Sequence, residues 1–242
     1  MTAAMPAGGL ASSLGETAKP ATDLSAQVHF NMCPTWLELA IRHLSDAQVA
    51  QLARVEAWKG ADENARAWAL QWEFEASIQA IAAAGMAIDA LYAAVRPKVE
   101  PPQLLVEKWR EKRAPHYIQI SEVLCTALSL EPRAASALRQ NLGEISRFRD
   151  LAVDPSRKTD APVLHPELGV GVEWRFAYFR CDNAQLIVKV TLGLIWELLA
   201  SGKPQDAEVQ AYVDALRSSI EPLLNSNVLV APARRDQRPS VP

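Results

Sequence analysis

Apolar residues return every three or four positions along most of this chain, the period that lines one face of a helix. Phe74, Ser77, Ile81, Ala84, Ile88, Leu91 and Val95 share such a face and predict a helix over residues 62–96. The Asp62 side chain can cap its start, and Pro97 ends it. On the adjoining face Ala80, Ala83 and Ala87 are small enough to let a second helix approach closely, which makes this a long central hairpin helix. Upstream, Trp36, Leu37, Leu39, Ala40 and Leu44 predict a helical region over 35–59, interrupted at Ser45 and Asp46 and closed by Gly60.

After the linker Val99, Glu100, Pro101, Pro102, the pattern predicts a short helix to about residue 112 and another over 115–129. Pro132 then stands at a first-turn position, where its missing N–H costs nothing, and Leu138, Leu142, Ile145, Phe148 and Ala152 trace an apolar face to Val153. Pro155 disfavours helical backbone at Asp154, so the helix stops there. The period changes to two where Val170, Val172, Trp174, Phe176 and Tyr178 alternate with smaller or polar residues, which reads as a strand, in a small hairpin or lying extended over the helices. Asp182 can cap a helix over 183–199 that is apolar on most of its circumference, and Val209, Val213, Leu216, Ile220 and Leu223 predict a last helix ended by Asn225.

The expected fold is therefore all-α, a bundle of five to seven helices with a long central helix and a short strand-like insertion. Residues 1–25 and 229–242 lack periodicity and read as a disordered leader and tail around a single helical domain at 26–228.

Composition sharpens this picture. The 242 residues are 49% apolar, 22% charged and only 7% aromatic, with alanine dominating the apolar share, a soluble helical profile rather than a sheet one. The net charge of −3 is uneven: residues 1–95 carry five Lys/Arg against ten Asp/Glu, and the rest twenty against eighteen. No polybasic surface points to nucleic acid. Cys33, Cys125 and Cys181 fit neither zinc nor redox spacing, and their odd number predicts reduced thiols in the cytoplasm. No basic segment followed by an apolar run marks a signal peptide, and the apolar stretch 186–199, broken by Lys189 and Glu197, is too short to span a bilayer, so no membrane association is expected.

Phosphate loops, GxSxG, HExxH and paired CxxC motifs are missing, and Gly169 and Gly171 lack the third glycine or lysine of a phosphate cradle. Neither metal nor cofactor is expected. The four histidines, His29, His43, His116 and His165, stand far apart. Trp109 sits among Lys108, Arg110, Lys112 and Arg113, as on a solvated helix face or, alternatively, a base-stacking platform; the other tryptophans read as core or interface anchors.

The polar group with most chemical content is Arg147, Arg149, Asp150 and Asp154. Arg149 follows Leu142 and Ile145 on the apolar stripe, which demands either a buried partner or a cleft. An ion-pair network closing a helix end is one reading, and a groove that holds phosphate through Arg149 is the other. His165, between Pro162 and Pro166, either turns toward the Arg149 end of the bundle or caps the strand with its side chain in water.

The region 65–200 resembles the HEPN superfamily, the nucleotide-binding domains of higher eukaryotes and prokaryotes. The alanine-rich helix from Phe74 to Val95 carries a charge, Asp89, near its end, and a later helix carries Arg149, the polar Asp150, then Leu151, Ala152 and Val153. Asp154 occupies the place of the family's histidine. The resemblance implies pairing through the arginine-bearing helix, and in active members a metal-independent ribonuclease centre at the dimer interface. Aspartate cannot serve as the histidine cation, and a further anion repels a phosphodiester. The expectation is a non-catalytic, homodimeric, HEPN-like protein acting through self-association or a protein partner. The alternatives are a ribonuclease using Arg149 with His165, or with His116, and a nucleotide-binding module using Arg147 and Arg149 with Trp174 as a lid. The candidate site residues are thus Arg149, Asp150, Asp154 and His165.

Overall fold

Asp62 accepts from the backbone N–H groups of Asn64 and Ala65 and starts the longest helix in the protein, as its position before the apolar pattern requires. A computed structural model describes residues 31–153 and 161–225. Asp154, the helix stop argued at Pro155, and the segments assigned as leader and tail lie outside the described residues.

The described residues form an all-α bundle of eight helices: α1 (Met32–Ala57), α2 (Glu63–Val95), α3 (Gln103–Glu111), α4 (His116–Ala127), α5 (Pro132–Val153), α6 (Trp174–Tyr178), α7 (Cys181–Ser201) and α8 (Ala207–Leu224). A 3-10 turn, Arg96–Lys98, follows α2 at Pro97. Two short strands, β1 (Val163–Leu164) and β2 (Gly171–Val172), pair antiparallel between α5 and α6, with Val163 opposite Val172.

Helices α1 and α2 fold back on each other and share the most extensive packing in the molecule. Alanines make the close approach feasible: Ala40, Ala47 and Ala50 of α1 meet a face of α2 in which Ala76, Ala80, Ala83, Ala84 and Ala87 are buried. One half of the core gathers Leu91 and Val95 of α2 with Leu124, Leu138, Leu142, Ile195 and Leu216 from α4, α5, α7 and α8. The other gathers Ile81 with Phe148, Trp174, Phe179 and Val188.

Four expectations are corrected. Helix α1 runs unbroken through Ser45 and Asp46, because the buried stripe Leu37, Ala40, Leu44, Ala47, Ala50 continues past them while Asp46 stays in solvent. Only Gly171 and Val172 of the alternating segment are strand. Trp174 to Tyr178 is a helical turn that places Trp174 and Tyr178 edge to face at 5.7 Å and packs Phe176 on Phe74 at 5.2 Å, which raises the helix number to eight. Helix α7 begins at Cys181 with Arg180 as its cap residue, so Asp182 lies in the first turn and not before it.

Helix α7 is also longer than the apolar stretch that marked it. It and the segment Glu63–Lys98 are long and apolar enough to cross a bilayer, and half of each apolar window is buried inside the bundle.

Candidate functional site

Helix α5 crosses α2 at Gly85, where a Cβ would stand 3.0 Å from Cδ of Arg149. The missing side chain lets the arginine stem pass over α2 and reach Asp89, one helical turn on, with Nη1 donating to Oδ2 at 2.5 Å. Nη2 donates to Asp150 Oδ1 at 3.0 Å, and Nε donates to the same oxygen at 3.2 Å. Burial opposes the arginine's charge, but Asp89 and Asp150 outweigh it and hold the guanidinium pKa above its ordinary value. The site thus closes a cation between two carboxylates rather than presenting a free one.

His116, in the first turn of α4, brings Nε2 to 3.5 Å from Asp89 Oδ1, and the Tyr92 ring stands edge-on to its imidazole at 5.4 Å. Arg149 therefore lies between two hollows. One, about 240 Å³, is bounded by His116, Tyr117, Ser146, Arg147 and Asp150. The other, about 530 Å³, is a mainly apolar groove among α1, α2 and α5 bounded by Trp36, Leu39, Ala82, Ala83, Met86 and Val153. Arg147 adds no free charge: it is paired with Glu144 at 2.8 Å and lies over the Phe148 ring.

His165 belongs to a different cluster, and no hydrogen bond or ion pair joins it to Arg149 among the described residues. Its side chain is not in water: it is fully buried, with Nδ1 accepting the Glu167 N–H at 3.3 Å. Burial first, and then the charge of Arg54, push its pKa down. Around it, Glu167 at the tip of the β1–β2 hairpin accepts from Arg54 at 2.6 Å and from Arg180 at 3.0 Å. Arg54 also pairs with Glu73, whose other oxygen accepts the Cys181 N–H at 3.0 Å. Arg54 and Glu73 are each 1% exposed. Both stand on apolar stripes, the same signal that marked Arg149, and the sequence reading passed over them.

No protein-family model, curated protein or solved structure matches this chain.

Of the four candidate residues, Arg149 and Asp150 are in direct contact, His165 is elsewhere, and Asp154 lies outside the described residues. The residues that join the site are Asp89 and His116, from helices 60 and 33 positions away from Arg149 in sequence. Trp174 does not cover Arg147 or Arg149; it is buried beside Phe179 with Arg175 over its ring. Trp109 is buried as well, its indole N–H donating to Glu122, and offers no ring face for a base. Burial raises the Cys33 and Cys181 thiols to about 12, so neither is a nucleophile near neutrality. Among the described residues no three His, Cys, Asp or Glu side chains converge as metal ligands.

Proposed function

We propose that this chain is a HEPN-like cytoplasmic association module that does not cleave RNA and acts by pairing with a second copy of itself or with a protein partner. The observation that supports this reading is the closure of Arg149 by Asp89 and Asp150 beside an open apolar groove. A phosphate clamp needs an available cation, and here the one cation between the two hollows meets two anions. The groove, by contrast, offers apolar surface of the kind partners cover.

The test has two arms. Light scattering of the full chain should give twice 26.5 kDa at micromolar concentration, and single-stranded RNA should survive incubation in chelator as it does in a matched blank. A monomeric mass that captures no protein partner, or chelator-resistant cleavage lost in Arg149→Ala, would overturn the reading.

One observation favours a second reading. His116 lies at the same aspartate as Arg149, so a metal-independent ribonuclease would use His116, not His165, as its acid or base. Cleavage that falls at least tenfold in both His116→Ala and Arg149→Ala would select it.

A further inference from the structure

Positions 68, 72, 75, 79, 82 and 86 of α2 follow one another at steps of four and three, which places them on one seam of the helix. The seam holds Trp68, Trp72, Glu75, Gln79, Ala82 and Met86, and none of the six is buried. Trp68 is 62% exposed, an unusual position for so large an apolar side chain, and its ring rests on Trp72 at 5.1 Å. At the other end of the same seam lies the apolar groove of about 530 Å³, with Ala82, Ala83 and Met86 on α2 and Trp36 and Leu39 on α1. One end of the helix therefore carries an aromatic projection and the other an apolar recess, on the same side.

We propose that α2 packs antiparallel against α2 of a second copy, the Trp68 and Trp72 rings of each chain seated in the groove beside Met86 of the other. The inference rests on the self-association reading above and places its surface on α2, not on the arginine-bearing helix α5 that the resemblance implies. A two-fold axis at the middle of the seam sets position 68 against 86, 72 against 82 and 75 against 79, so both ends of the pairing are filled by one operation. Charge selects the direction. A parallel pairing opposes Glu75 to Glu75, whereas the antiparallel one opposes each carboxylate to the Gln79 amide, which can donate to it. Area is sufficient: the seam from 68 to 86 is about 27 Å long at the helical rise, and a two-helix face roughly 20 Å wide gives on the order of 500 Å² per copy. The sum, about 1,000 Å², stands at the lower bound for a specific interface, the size of a weak rather than an obligate dimer.

The experiment is sedimentation or light scattering of the full chain over a hundredfold concentration range, with helix content checked for each variant. Trp68→Ala and, separately, Gln79→Glu should each weaken the dimer at least tenfold, the second by opposing two carboxylates across the axis. Adding Glu75→Lys to Gln79→Glu should restore association, because antiparallel pairing then opposes unlike charges, while a parallel pairing would oppose like ones. A native dimer insensitive to Trp68→Ala and Gln79→Glu, or a double variant without recovery, overturns this interface and leaves self-association standing. A native protein that is monomeric throughout overturns both.

Discussion

The stem of Arg149 occupies the space that a side chain on Gly85 would need: a Cβ there meets Arg149 Cβ and Cγ at 3.1 Å and Cδ at 3.0 Å. These atoms are near the root of the arginine, where it cannot swing away without leaving Asp89. Gly85→Ala is therefore expected to destabilise the protein by about 1 kcal/mol, the cost of overpacking exceeding the gain in helix propensity. Gly193 in α7 has nothing within 4 Å of its Cβ position, so Gly193→Ala should stabilise by roughly 0.5–1 kcal/mol. Urea midpoints of the two variants, moving in opposite directions, are the check.

The buried pair of Arg54 and Glu73 gives a second expectation. Removing one partner strands the other charge in the core, so Arg54→Ala should cost about 3–5 kcal/mol. Replacing both, by Arg54→Met with Glu73→Leu, should recover part of that loss, because the two most deeply buried charges go together and Glu167 keeps Arg180, while the Cys181 N–H is left without its acceptor. Failure of the double variant to exceed the single one in denaturant stability would show that the pair is held for its geometry and not for its charge balance.

How much of this was legible before the structure follows from where each signal resides. Helix α2 was readable at both ends because Asp62 and Pro97 act locally, and α5 because Pro132 and the stripe to Val153 do. The segment 174–178 was misread because five residues of alternation fit a strand as well as a turn whose aromatic partners, Phe74 above all, come from a distant helix. Arg149 was marked by its place on an apolar stripe, but its partner Asp89 is 60 residues away and its neighbour His116 is set by the packing of α4. His165 was misplaced for the same reason: the Arg54 and Arg180 groups that enclose it come from α1 and from the residue capping α7.

Acid should loosen the hairpin that carries His165. Its folded pKa lies below the unfolded value, so the unfolded chain binds the proton more readily. The stability this group protects is complete above about pH 6.5 and falls as pH drops below it. Glu167, held below the ordinary carboxylate range because Arg54 and Arg180 outweigh its burial, adds a loss only at lower pH, below about 4.3. Urea midpoints from pH 7.5 to 5 should decline for the native protein and decline less for His165→Gln, whose amide oxygen can still accept the Glu167 N–H. Parallel slopes would remove His165 from the explanation.

The last expectation concerns what would turn the Arg149 site into a catalyst. Asp154 stands in the sequence where the resemblance expects histidine, and a carboxylate with its ordinary pKa can neither donate a proton at neutral pH nor favour an approaching phosphodiester. Asp154→His alone changes that residue but leaves Arg149 committed to Asp89 and Asp150. Adding Asp150→Asn removes one of the two competing anions, at a position mostly exposed to solvent, where the fold has little to lose. The double variant should therefore cleave single-stranded RNA in chelator at least tenfold faster than Asp154→His alone, a difference of about 1.4 kcal/mol in the barrier. Adding Arg149→Ala should return it to the blank. Equal rates for the single and double variants would mean that the guanidinium is not limited by its carboxylate partners, and that the silence expected of the native site has another cause.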